Sequence, residues 1–101
     1  MAGSNVTATV SNAHPHQNTR VTVTGHVGGQ NVSHHDRMIT TWHFKTRNVQ
    51  CQADADANGT ASCTRDIGRA TRGFVVVIDV VFIDLATGQS PGAAQVSFTP
   101  T

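Results

Sequence analysis

The chain has no glutamate, no tyrosine, one lysine and one tryptophan, and only 13% of its 101 residues are charged. With Glu absent and Lys45 the only lysine, the strongest helix formers are scarce, while Val and Thr are plentiful, so an all-β chain is expected. The longest apolar run, 74–81, contains Asp79 and is far too short to cross a bilayer. Met1-Ala2-Gly3-Ser4 shows no leader pattern; residues 1–4 read as an added start to an excised mature domain, 1–101 in extent. CxxC and HxxxH spacings are missing, which argues against a zinc finger or ribbon. A net charge of +1 and a pI of about 7.9 supply no long-range field for DNA, RNA or anionic lipid. At 38% hydrophobic the chain makes one domain, burying roughly two-thirds of its unfolded surface.

What is present is period-two alternation. Val6, Ala8 and Val10 alternate with Thr7 and Thr9, predicting a strand over 6–10; Val21, Val23, Gly25 and Val27 alternate with Thr22, Thr24 and an outward His26. Met38, Thr40, Trp42 and Phe44 share one face of a third strand, with Ile39, Thr41, His43 and Lys45 on the other, and Trp42 is its core anchor. Short strands follow around Val49, Cys51 and Ala53, and around Ala61, Cys63 and Arg65, with turn residues between them. Residues 74–83 are apolar on both faces, as in a central or covered strand. Val96 and Phe98 finish a last strand before Pro100 stops it. Seven short strands predict an immunoglobulin-like β-sandwich.

Cys51 and Cys63 fall in neighbouring strands, and folding the turn about Ala57 sets them opposite each other, the register of a cross-strand disulfide. Such a bridge implies an oxidising compartment; two buried free thiols are the alternative. Asn-x-Ser/Thr triplets begin at Asn5, Asn31 and Asn58 and read as chance matches in a chain rich in Asn and Thr.

The second strand, Gly29-Gln30-Asn31-Val32, Thr41-Trp42-His43-Phe44, Asp56-Ala57-Asn58-Gly59-Thr60-Ala61 and the closing Val96-Ser97-Phe98-Thr99-Pro100 together resemble bacterial immunoglobulin-like domains of the invasin and intimin kind, group 1. The resemblance spans nearly the whole chain. Its most telling piece is the Asn58-Gly59 turn, which suits a positive φ. It implies a non-catalytic spacer, adhesion or accessory module of a bacterial secreted or surface protein, at the cell surface or outside the cell. Its partners would be neighbouring domains of the parent protein, with a surface protein or glycan also in view. The chain departs from that pattern in its cysteine pair and its six histidines, and it lacks the residues for a tyrosine corner.

The histidines carry the alternative. In such a sandwich one end gathers His34, His35, Asp36, Asp54 and Asp56, with His26 near by, a donor set for Zn, Ni or Cu in a metal-dependent binding module; solvated loop histidines are the plain reading. His14 and His16 fall at the opposite end and are expected to be exposed. Asp54-x-Asp56-x-Asn58-Gly59 matches half of a calcium loop, but Arg65 stands where the closing acid belongs, so at most a weak calcium site at Asp36, Asp54 and Asp56 is expected. No resident cofactor is expected. Ser33, His34 and Asp36 are too close in sequence for triad geometry, and no GxSxG elbow or Glu pair exists, so no enzyme is expected. An isopeptide through Lys45 conflicts with its outward face. A polymer-binding accessory domain would need an exposed apolar or aromatic strip, for which the buried Trp42 is unavailable. Arg65, Arg69 and Arg72 lie within eight residues and offer a small basic patch, but solvated arginines beside a glycine-rich connection explain them as well, and they are read as surface.

Overall fold

The computed structural model describes residues 5–28, 36–56, 58–85, 88, 90 and 92–101. The alternating segments become seven strands: β1 (Asn5–Val10), β2 (Arg20–Gly28), β3 (Asp36–His43), β4 (Asn48–Asp54), β5 (Thr60–Asp66), β6 (Val76–Asp84) and β7 (Gly92–Phe98). They pair antiparallel in two sheets, β1-β2-β5 and β4-β3-β6-β7, and no helix occurs among the described residues. The last strand ends at Phe98 as expected and begins at Gly92. Gly92, Ala93 and Ala94 carry little strand signal, and their pairing with Phe82, Val81 and Val80 extends the strand.

The inward rows of both sheets merge into one buried cluster, including Val21 and Val23 of β2, Met38 and Trp42 of β3, Ile78 and Phe82 of β6, and Phe98 of β7. The sheets thus pack face to face in a sandwich-like arrangement. Trp42 is fully buried, stacked on Phe44 with ring centroids 6.2 Å apart and met edge-on by Phe98 at 5.9 Å. Its indole N–H donates to Thr40 Oγ1 at 2.9 Å, and that hydroxyl donates onward to the Cys51 carbonyl at 2.8 Å. The buried threonine therefore satisfies the tryptophan and ties it to β4, so that no buried polar side-chain atom lacks a partner among the described residues.

Cys51 and Cys63 form a disulfide, but the hairpin expected around them does not exist. Cys51 sits opposite Thr40 in one sheet and Cys63 opposite Val23 in the other, so the bridge joins the two sheets, with the Cα atoms 6.1 Å apart. Both inward rows, Val49-Cys51-Ala53 and Ala61-Cys63, must face one core, and alternation is the same whether they face it from one sheet or from opposite sheets. The connection between β4 and β5 crosses from sheet to sheet, and Gly59 (φ 79°) takes its left-handed position.

Gly25 lies on the inward row of β2, between Ala8 and Ala61 in the ladder. A Cβ there would stand 2.6 Å from Met38 Sδ and 3.0 Å from the Phe82 ring. The close approach of β2 to the facing sheet requires glycine. Gly25→Ala is expected to overpack the core and destabilise by about 1–3 kcal/mol. Urea unfolding should show a lower midpoint with an unchanged slope; an unchanged midpoint refutes the steric account.

Candidate functional site

Antiparallel pairing sends the β2–β3, β4–β5 and β6–β7 connections to one end of the sandwich. There Ala55 N–H donates to the Asp36 carbonyl at 2.9 Å and Val27 N–H to the Gly59 carbonyl at 2.8 Å. Asp36, Asp54 and Asp56 lie at that end, as does Asp84, which lies across the ladder from Asp36. Asp36 is buried at 2% exposure. Asp54 accepts from Arg37 Nε at 2.9 Å in an ion pair. Asp56 holds its own turn: its carboxylate accepts the Thr60 N–H at 3.1 Å and the Asn58 N–H at 2.8 Å. Those backbone bonds, the one from Thr60 foremost, lower its pKa below the ordinary carboxylate value. His26 is exposed beside this turn, its Nδ1 3.0 Å from Thr60 Oγ1. His34 and His35, the imidazoles of the expected metal set, lie outside the described residues. Among the described residues no three His, Cys or Asp side chains are grouped to hold a metal ion.

A second constellation crosses the solvent face of the four-stranded sheet. Asn48, His43, Asp79 and Gln95, one each from β4, β3, β6 and β7, form a hydrogen-bonded chain. His43 Nδ1 is 3.1 Å from Asn48 Oδ1, His43 Nε2 is 2.7 Å from Asp79 Oδ2, and Gln95 Nε2 donates to Asp79 Oδ1 at 2.7 Å. The bond to Asp79, then that to Asn48, raises the His43 pKa above its ordinary value, and the bonds from Gln95 and His43 lower that of Asp79. Both ring nitrogens are occupied, so neither is free to take a proton from a nucleophile, as a triad histidine must. Half-buried Ile39, Val77, Val81 and Ile83 flank the chain. The central β6 is thus apolar on both faces, with its outer row partly open.

This pair gives stability a pH window with a definite sign. The raised His43 pKa contributes stability that is fully present below about pH 6.5 and is lost as pH rises through the folded value. The lowered Asp79 pKa contributes stability that is present above about pH 3.8 and is lost as pH falls through its folded value. Both groups are open to solvent, so the effect is small. Melting temperatures from pH 4 to 9 should decline on the alkaline side in the parent and less so in His43→Gln; identical declines refute the pairing.

The opposite end holds a cleft of about 380 Å³ between the β3–β4 and β5–β6 connections. Its floor is Phe44, Val49, Ile67 and Ala70, and Arg47, Arg65 and Arg69 line it. Val49 of β4 and Arg65 and Asp66 of β5 are among its lining residues. Arg65 is half-buried on the same inward row of β5 as Cys63. Among the described residues the ion pairs are Arg37–Asp54 and His43–Asp79, so none of the three guanidinium groups is paired with a carboxylate. Asp66, also on the wall, accepts the Gly68 N–H at 2.8 Å within its own turn.

The sequence offers Arg65, Arg69 and Arg72 as a small basic patch or as solvated surface; Arg69 and Arg72 are exposed, Arg65 is half-buried, and Arg47, which no sequence signal singles out, joins Arg65 and Arg69 in lining the cleft. The available signal was alternation, which placed Arg65 on the Cys63 face, together with a topology that brings the two connections to one end. Compared with protein-family models, curated proteins and solved structures, the chain finds no match.

Proposed function

We propose that the chain is a non-catalytic, extracellular immunoglobulin-like module that spaces or presents the neighbouring domains of a bacterial secreted or surface protein. The observation that carries this is the through-path of the backbone. β1 starts beside Gly28 at the acidic end, and β7 finishes beside Val76 at the opposite end of a body 41 Å long. Residues 99–101 are fastened there: Thr99 N–H donates to the Ala13 carbonyl, Thr101 N–H to the Pro15 carbonyl, and Gly73 N–H to the Pro100 carbonyl, at 2.8, 2.9 and 2.8 Å. The inter-sheet disulfide favours an oxidising compartment. With strands lettered in chain order, the sheets read A-B-E and D-C-F-G. The fourth strand takes the place beside C that extra strands take in variable-type immunoglobulin domains.

Force spectroscopy on the chain held at its two ends tests this. The oxidised module should keep its length until it unfolds cooperatively. Dithiothreitol should then release roughly 40 Å more, the reach of the twelve-residue segment that the disulfide closes. Gradual stretching at low force would rule out a spacer. Accessory polymer binding would have to use the half-buried Ile39, Val77, Val81 and Ile83 row. Retention of the chain on insoluble polysaccharide would favour that role.

A further inference from the structure

The charged side chains divide along the long axis. Where the β1–β2, β3–β4 and β5–β6 connections meet stand Arg20, Lys45, Arg47, Arg65, Arg69 and Arg72, every Lys or Arg except Arg37, against one side-chain carboxylate, that of Asp66. The other end holds Asp36, Asp54, Asp56 and Asp84 against Arg37. A net charge of +1 therefore conceals a positive and a negative pole on a body 41 Å long.

We infer that the arginine-lined cleft is a docking site for the acidic end of a second copy of this chain. The two ends match in both kinds of chemistry. The cleft offers an apolar floor and three guanidinium groups that pair with no carboxylate among the described residues, and guanidinium forks bind carboxylates bidentately. The acidic end offers the exposed carboxylates of Asp54, bonded through Oδ1 to Arg37, and of Asp56, bonded through Oδ1 to its own turn, and, next to Asp84 in sequence, Leu85, a large hydrophobic side chain left 50% exposed. An exposed aliphatic side chain at an end rich in aspartate is the complement of an apolar floor set among arginines. The two contacting surfaces differ, so the contact is heterologous and repeats head to tail instead of closing. A cross-section of 21 × 19 Å is well below the about 800 Å² per partner of a stable complex, so the contact is weak and salt-sensitive. This goes beyond the spacer reading, which needs no affinity between ends.

Sedimentation of the intact chain in low salt should show mass rising with concentration. It should return to the monomer's 10.7 kDa in about 1 M NaCl, where the Debye length falls to about 3 Å. Arg47→Glu/Arg69→Glu removes the receiving cleft and keeps the acidic end; Asp54→Arg/Leu85→Arg does the reverse. Each variant alone should associate at least tenfold more weakly than the parent. Mixed one to one, the neutral pair Arg47→Gln/Arg69→Gln and Asp54→Asn/Leu85→Ser, in which no reversed charges can attract each other at the second contact, should form a dimer that grows no further. Parent-like association of both variants overturns the inference, as does a mixture that stays monomeric while the variants melt like the parent. If a charge reversal unfolds the chain, Arg47→Gln/Arg69→Gln and Leu85→Ser replace it. A parent that stays monomeric at every concentration but binds a short heparin fragment, losing that binding in Arg47→Glu/Arg69→Glu, assigns the cleft to an external polyanion and overturns self-docking.

Discussion

Trp42→Ala is expected to cost about 3–5 kcal/mol, against the roughly 5–15 kcal/mol of total stability usual for a domain. The ring is fully buried between Phe44 and Phe98, where two facing sheets limit how far the surroundings can collapse into the space left behind. A second loss adds to the cavity. Without the indole N–H, the Thr40 hydroxyl keeps its bond to the Cys51 carbonyl but loses the donor to its own oxygen. Trp42→Phe separates the two effects, because it keeps most of the apolar volume and drops the hydrogen bond; about 1–3 kcal/mol is expected for it. Urea unfolding followed by far-UV circular dichroism measures both, since the only tryptophan is gone. A loss below about 1 kcal/mol for Trp42→Ala would mean that the two sheets close over the gap, and the anchoring role would fail.

Removing the disulfide with Cys51→Ala and Cys63→Ala should destabilise by about 3 kcal/mol, from the loop-closure entropy that the twelve-residue separation takes from the unfolded chain. For a domain of this size that is a fall of more than about 10 °C in melting temperature. Alanine is the substitution of choice because Cys63 is 2% exposed and a serine hydroxyl there would need a partner. The native sheets should survive, each held by its own ladder and by the shared core. Near-UV circular dichroism of the variant should therefore keep the parent signature at low temperature. If that signature is lost while secondary structure persists, the bridge holds the two sheets in register, and the core by itself does not.

Most of the strand content was legible from alternation, because each strand buries one row and period two is a direct image of that burial. Trp42 as the core anchor followed from the same pattern. The partnership of β4 was not legible. An inward row looks the same from either sheet, so Cys51 and Cys63 could be matched in sequence without revealing that they face each other across the core. The His43–Asp79 contact was hidden for a different reason: it depends on β3 lying beside β6, a pairing between segments more than thirty residues apart. The charge division escaped because a net charge sums over positions. Arg47 and Arg65 belong to one cleft only once their connections share an end. Of the expected metal set, Asp36, Asp54 and Asp56 lie at one end of the sandwich without forming a metal-holding group among the described residues, Asp54 being bonded to Arg37 and Asp56 to its own turn.

The number of strands itself has a consequence. Antiparallel strands reverse direction at each step, so parity decides on which side the backbone finishes, and seven is odd. Inserting a two-strand hairpin preserves that parity, whereas gaining or losing one strand would bring the final segment back beside the first. Variation in this architecture is therefore expected to come in pairs of strands wherever its through-path matters. A lone added strand would turn a link in a row into a side branch.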